Sequence, residues 1–169
     1  MLLRHAKSAW PDVPDHERPL ARRGRRDAPG AGAWLRRAGY LPDLVVCSTA
    51  RRARETWQLA AAELGASPPV RFEPRVYQAS ADELLGLVRE TSAEVAALLV
   101  VGHEPTMRAL TLLLAGSAAD GSAPGPLERV TLKFPTAAIA VLTFNGGWSD
   151  LAAGEAELAS FLVPGDYGA

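Results

Sequence analysis

Several things are scarce in this chain, and each shortage excludes something. A single cysteine, Cys47, rules out an intrachain disulfide and fits a reducing compartment. The longest apolar runs, such as Val95 to Val101, fall far short of the ~20 residues that cross a bilayer. The start, Met1-Leu2-Leu3-Arg4-His5, has no basic region leading into a long apolar stretch, so no secretory signal is expected. A soluble, cytoplasmic protein without a membrane partner is the expectation. Net charge is also scarce: 18 Lys/Arg against 19 Asp/Glu give −1, which argues against a generic polyanion binder. Of those 18 basic residues only Lys7 and Lys133 are lysine, in a chain rich in alanine, glycine and proline. That mix is what a GC-rich coding sequence gives, so arginine number alone carries little weight here.

What is present is unevenly spread. Residues 1–54 hold 12 Lys/Arg and 5 Asp/Glu, a net of +7, and the remainder carries −8. The split leaves room for a local anion site drawn from the first third. The run Arg22-Arg23-Gly24-Arg25-Arg26 reads as an exposed helix face. It lacks the interleaved aromatics of a nucleic-acid surface, and no nucleic-acid partner is expected.

A chain of 169 residues with 48% hydrophobic content supports one domain with one sizeable core. Residues 1–164 are read as that domain and 165–169 as a frayed tail. Leu2-Leu3 is the stub of a buried strand. Helix follows from Arg22 to Ala38, with Pro29 implying a kink or a later start near Asp27. Strand then alternates with helix: Leu44 to Cys47, Ala50 to Leu64 closed by Gly65, Val70 to Phe72, and Asp82 to Glu90. Ala97 to Val101 and Pro105 to Leu114 continue the alternation, and a loop spans Gly116 to Pro126. Ala137 to Phe144 and Leu158 to Val163 complete the strands. Such alternation predicts an α/β, single-domain, three-layer sandwich, a mostly parallel sheet flanked by helices on both faces. Ligands in such sheets bind beyond the carboxyl ends of the strands.

Three strand-to-helix junctions carry the chemistry. One strand ends in Arg4-His5-Ala6-Lys7-Ser8, a second in Ser48-Thr49-Ala50-Arg51-Arg52-Ala53-Arg54, a third in Gly102-His103-Glu104-Pro105. Helix N-termini present unpaired N–H groups to an anion. Arginine offers a planar fork for phosphate oxygens, and a near-neutral histidine can act as nucleophile or acid. Two histidines and two arginines can hold a phosphoryl group, attack it and spread its charge, with no metal or other cofactor needed.

These motifs resemble the histidine phosphatase superfamily, the phosphoglycerate-mutase-like group. Leu3-Arg4-His5-Ala6 is similar to its Arg-His-Gly motif, with alanine for glycine. Ser48-Thr49-Ala50-Arg51-Arg52-Ala53-Arg54-Glu55-Thr56 looks like Ser-Pro-x-x-Arg-Ala-x-Gln-Thr, and Gly102-His103 like the later Gly-His. Arg-His-Ala-Lys-Ser, Arg18-Pro19-Leu20 and the short length most resemble the SixA branch of phosphohistidine phosphatases. The resemblance implies that His5 is a nucleophile forming a phosphohistidine intermediate. It implies that Arg4, Arg52 and His103 bind phosphoryl oxygens, with Ser8, Gln78 and Gly102 as further pocket residues. The partner implied is a phosphohistidine-bearing protein or a small phosphorylated substrate.

The pattern departs in two places. Larger relatives carry a glutamate acid where Gln78 falls here, leaving Glu73, Asp82 or no acid at all. Only Met1, Leu2 and Leu3 precede the Arg-His pair, so either the first strand is short or the start lies upstream. Competing readings are a broad small-molecule phosphomonoesterase and a non-catalytic phosphate-binding regulatory module.

Overall fold

The computed structural model describes residues 1–116 and 125–168. Six strands form one sheet: β1 (Leu2–Arg4), β2 (Leu44–Ser48), β3 (Val70–Glu73), β4 (Leu98–Gly102), β5 (Ile139–Phe144) and β6 (Ala156–Leu162). Their order is β3-β2-β4-β1-β5-β6. The β3, β2, β4 and β1 neighbours are parallel, while β5 pairs antiparallel with both β1 and β6. One strand of six therefore runs against the rest, and the sheet is mixed but mostly parallel.

The apolar strands bury both faces because side chains alternate with a period of two. Leu3, Val45, Cys47, Leu99, Val101 and Ile139 meet α1 (Arg22–Ala38) and α2 (Arg51–Leu64) on one face. Leu2, Val46, Val100 and Ala140 meet α3 (Ala81–Arg89), α4 (Thr106–Ala115) and α5 (Pro126–Leu132) on the other. This is the expected three-layer α/β/α arrangement. The helix α5, which opens on Pro126, was not anticipated, and residues 117–124 of the loop read over Gly116 to Pro126 lie outside the described residues.

Pro29 does not delay or divide α1, which runs unbroken through it. Close packing outweighs the local penalty, which is about 3 kcal/mol in an isolated helix. The face Gly24, Ala28, Ala31, Gly32 and Leu35 is buried. A Cβ on Gly24 would stand 2.2 Å from the Lys7 carbonyl oxygen, and one on Gly32 would stand 1.8 Å from that of Ala60. Glycine thus lets α1 press backbone to backbone on the segment after β1 and on α2. The chain end is not frayed through Tyr167: Pro164–Asp166 forms a 3-10 turn, and Tyr167 is buried with its hydroxyl donating to the Ala137 carbonyl. A large aromatic near a terminus gains enough by burial to tie it down. No helix among the described residues is long and apolar enough to cross a membrane.

Candidate functional site

Strand register delivers two histidines to one place. Parallel β1 and β4 pair Arg4 with Gly102, so the next residues, His5 and His103, leave the sheet side by side. Their ring centroids are 5.1 Å apart. The His5 N–H donates to the Gly102 carbonyl at 2.9 Å, fixing the turn of the chain at the strand end. Gly102 itself is a packing requirement, since a Cβ there would meet Met107 Cε at 2.6 Å. It supports the site through its carbonyl and its lack of a side chain.

The ring of His5 is held in one tautomer. Nδ1 lies 2.7 Å from the Ala6 carbonyl, and a carbonyl can only accept, so Nδ1 carries the proton and Nε2 keeps a lone pair. Burial depresses the His5 pKa to about 3, the Ala6 carbonyl partly opposes this, and His103, Arg52 and Arg4 lower it further. The ring is neutral at physiological pH, as a nitrogen nucleophile must be. Next in the chain, Ala6 N–H donates to Thr56 Oγ1 at 2.9 Å, and the Thr56 hydroxyl donates to the Arg52 carbonyl at 2.6 Å. That buried threonine ties the His5 segment to the first turn of α2.

His103 is the second neutral ring. Burial, then Arg52, lowers its pKa to about 4, with Asp15 opposing. Its Nε2 lies 2.7 Å from Ser48 Oγ, which already accepts the Ala50 N–H at 3.2 Å. The Ser48 hydroxyl can donate to His103 Nε2 or accept from it, and His103 Nδ1 is a buried nitrogen with no hydrogen-bond partner among the described residues. Arg4 Nη1 donates to the Phe134 carbonyl at 2.7 Å, while its buried Nε has no partner. Burial lowers the Arg4 pKa, partly offset by nearby Glu104, whose own carboxyl is pushed up by burial. The unpaired Arg4 N–H and the unpartnered His103 Nδ1, near the His5 lone pair, suit an oxyanion.

Arg52 is buried and aimed by Asp15: Nη1 donates to its carbonyl at 2.7 Å and Nη2 to its carboxylate at 3.1 Å. The same carboxylate accepts from Tyr77 Oη at 2.6 Å and from Arg18 Nη1 at 2.9 Å. Those donors hold Asp15 well below the usual carboxylate range, Tyr77 contributing most. Tyr77 closes the cluster, its ring edge-on to His103 at 5.5 Å.

His5, Arg4, Arg52 and His103 therefore converge, while two other anticipated pocket residues stand elsewhere. Ser8 is buried against Arg18, accepting from Nη2 at 2.8 Å, because the chain pairs there with Leu20. Gln78 is exposed, with φ +65°, facing a surface hollow with Arg75, Glu83 and Glu90. Of the two candidate acids, Glu73 is pinned by Arg75 through Nε at 3.1 Å and Nη2 at 2.9 Å, which lowers its pKa. Asp82 is exposed in the first turn of α3. Sequence reading passed over Asp15, Ser48 and Tyr77 as participants. The Asp15-to-Arg18 spacing, an i,i+3 ion pair ahead of Pro19, was the available signal for the first. It also assigned nothing to His16, which bonds Thr49 Oγ1 at 2.9 Å and meets Tyr77 edge-on.

A mostly parallel three-layer fold with paired histidines and arginines at the strand ends defines a recognisable class. Residues 1–98 match the family described as histidine phosphatase superfamily (branch 1), and the chain belongs to that superfamily. An uncharacterized protein of Mycobacterium tuberculosis is 45% identical over 163 residues, covering 96% of this chain and 99% of that one. The fold is shared with SixA, a candidate phosphohistidine phosphatase from Nakamurella multipartitia (TM-score 0.80, 36% identity, covering 96% of this chain and 95% of that one). It is shared too with the candidate SixA of Agrobacterium tumefaciens (TM-score 0.78, 30% identity, 96% of each chain).

Proposed function

We propose that this protein is a phosphatase that works through a covalent phosphohistidine on His5, needs no metal, and acts on phosphohistidine in a protein substrate. The observation that carries the reading is the His5 tautomer: Nδ1–H tied to Ala6 O, and a neutral Nε2 beside His103. His5 Nε2 attacks the phosphorus of a phosphohistidine protonated on its free ring nitrogen, and the bond from phosphorus to the substrate nitrogen breaks, so that neutral imidazole leaves. Arg4, Arg52 and His103 carry the charge on the phosphoryl oxygens. Water then attacks phosphorus, and the P–Nε2 bond breaks with its electron pair returning to His5 Nε2. Phosphate leaves with the water oxygen while a proton passes to solvent, restoring the neutral ring.

The substrate class follows from the acids. Glu73 is locked as a carboxylate by Arg75, Asp82 is out on α3, and position 78 holds glutamine, while Glu104, pushed up by burial, is drawn back toward the carboxylate by Arg4 and Arg108. An alkoxide leaving group needs a proton donor in the site, whereas a phosphohistidine protonated on its free ring nitrogen, on the scale of histidine's pKa of about 6.5, releases neutral imidazole without one. A site built this way favours phosphohistidine over unactivated alkyl phosphates. The SixA-type likeness at 36% and 30% identity supports the same reading.

Brief incubation with a phosphohistidine donor followed by mass spectrometry should find one acid-labile phosphate on His5. His5→Ala should carry none. A full-strength phosphoenzyme in His5→Ala, or equal rates on alkyl phosphates and phosphohistidine peptides, would overturn the proposal.

A further inference from the structure

Beside the histidine pair lies a trough of about 730 Å³ that the chemistry above does not use. One wall is a stripe of α2, where Arg54, Trp57, Gln58 and Ala61 share a helical face at i, i+3, i+4 and i+7. The other is Phe72, which is 52% exposed although it is a large apolar side chain. Phe72 stands on β3, the edge strand, whose sole neighbour in the sheet is β2. Thr49 and His16 close the end nearest the site.

We infer that this trough docks the polypeptide flanking the phosphorylated histidine, presenting an apolar side chain to the exposed Phe72 and a carboxylate to Arg54. The inference rests on the phosphohistidine reading and adds to it the sequence preference of the substrate. Continuity is the first argument. His16 meets Tyr77 edge-on at 5.0 Å and Tyr77 meets His103 at 5.5 Å, so the trough opens one aromatic ring beyond the reacting pair. A small phosphorylated molecule seated at His5 does not span that distance, and a chain carrying the phosphohistidine does. Charge is the second. Arg54 is exposed and makes no salt bridge among the described residues. Its neighbours Arg51 and Glu55 are joined to each other at 2.8 Å, and Glu17 is joined to His16. An incoming carboxylate meets a cation that Glu17 attracts at range but does not pair with directly.

The test uses phosphohistidine peptides with Leu/Glu, Leu/Lys or Ser/Gly flanks, and free phosphohistidine, with the intact protein. The Leu/Glu peptide should show a KM about tenfold below the Ser/Gly peptide, the scale of one good interface contact. Arg54→Glu should move the preference to the Leu/Lys peptide, and Phe72→Ser should remove the advantage of leucine. Neither change should alter kcat or the turnover of free phosphohistidine, and both variants should melt near wild type. Equal KM values across the peptides, or a flank preference unmoved by Arg54→Glu, would overturn the inference. So would sedimentation showing a dimer that Phe72→Ser dissolves, which would give the trough to a second copy. Failure to hydrolyse even free phosphohistidine would instead remove the functional reading beneath it.

Discussion

The first 54 residues contain two populations of arginine with opposite surroundings. Arg52 is 7% exposed and Arg4 is partly buried, both aimed by fixed acceptors at the carboxyl edge of the sheet, while Arg18, also 7% exposed, gives its donors to Ala9, Asp15 and Ser8. Arg22, Arg23, Arg25 and Arg26 stand exposed on α1, where Arg23 and Arg26 share Asp27 and Arg25 reaches Glu55. Both populations add the same charge to the composition. What separates them is the cost of burial. A desolvated guanidinium persists only where acceptors orient it, and that orientation gives it a fixed direction toward an anion. A solvated one is screened and free to swing.

The sharpest way to break the comparison is to remove a buried member. Arg52→Ala should lower kcat/KM for a phosphohistidine peptide by roughly 10²–10³-fold, the usual cost of losing one pre-aimed oxyanion donor. Arg52→Lys should recover only part, because an ammonium cannot bond the Asp15 carbonyl and carboxylate while facing the phosphoryl group as a planar fork does. Steady-state kinetics on both variants checks this. Full activity in Arg52→Ala would place the anion elsewhere.

Arg4, His5 and His103 were legible because each follows directly on an apolar strand, and a parallel sheet brings such ends to one edge. Arg52 was singled out from Arg51 and Arg54 by the resemblance of residues 48–56 to the family motif, and not by spacing alone. Asp15 was not: it meets Arg52 across 37 residues and Tyr77 across 62, pairings made by the fold and not by any local pattern. The unbroken α1 was hidden for a related reason. Pro29 speaks locally for a break, while the contacts of Gly24 and Gly32 that overrule it are with Lys7 and Ala60. Short α5 and the docked Tyr167 also owe their order to tertiary partners.

The buried arginines have a second consequence that the exposed ones lack: with burial itself, they keep the two histidines neutral. The folded pKa values, about 3 and about 4, lie below the 6.5 of an unfolded histidine. Between those limits the unfolded chain binds more protons, so stability is full above pH 6.5 and declines as pH falls. By pH 5 each histidine should cost about 2 kcal/mol relative to pH 7. Urea denaturation at the two pH values measures the loss, and His103→Gln should lose about 2 kcal/mol less than wild type, in which the buried Met1 amino group, lowered to about 5, titrates over the same range. An equal loss in the variant would mean that His103 is not held neutral by the fold.

The smallest effect tests the other side of the comparison. Arg22→Gln with Arg23→Gln removes two positive charges from the +7 segment without touching the strand ends. Asp27 keeps Arg26 at 3.1 Å, so no buried carboxylate is stranded. Exposed helix ion pairs contribute roughly 0.3–0.5 kcal/mol, so denaturation midpoints should barely move. Turnover of a phosphohistidine peptide should stay within about twofold of wild type, because charges beyond a Debye length of ~8 Å act weakly at physiological salt. A tenfold fall in kcat/KM that disappears at high salt would show that the exposed set steers the substrate, and the two populations would then differ in range of action and not in having a role.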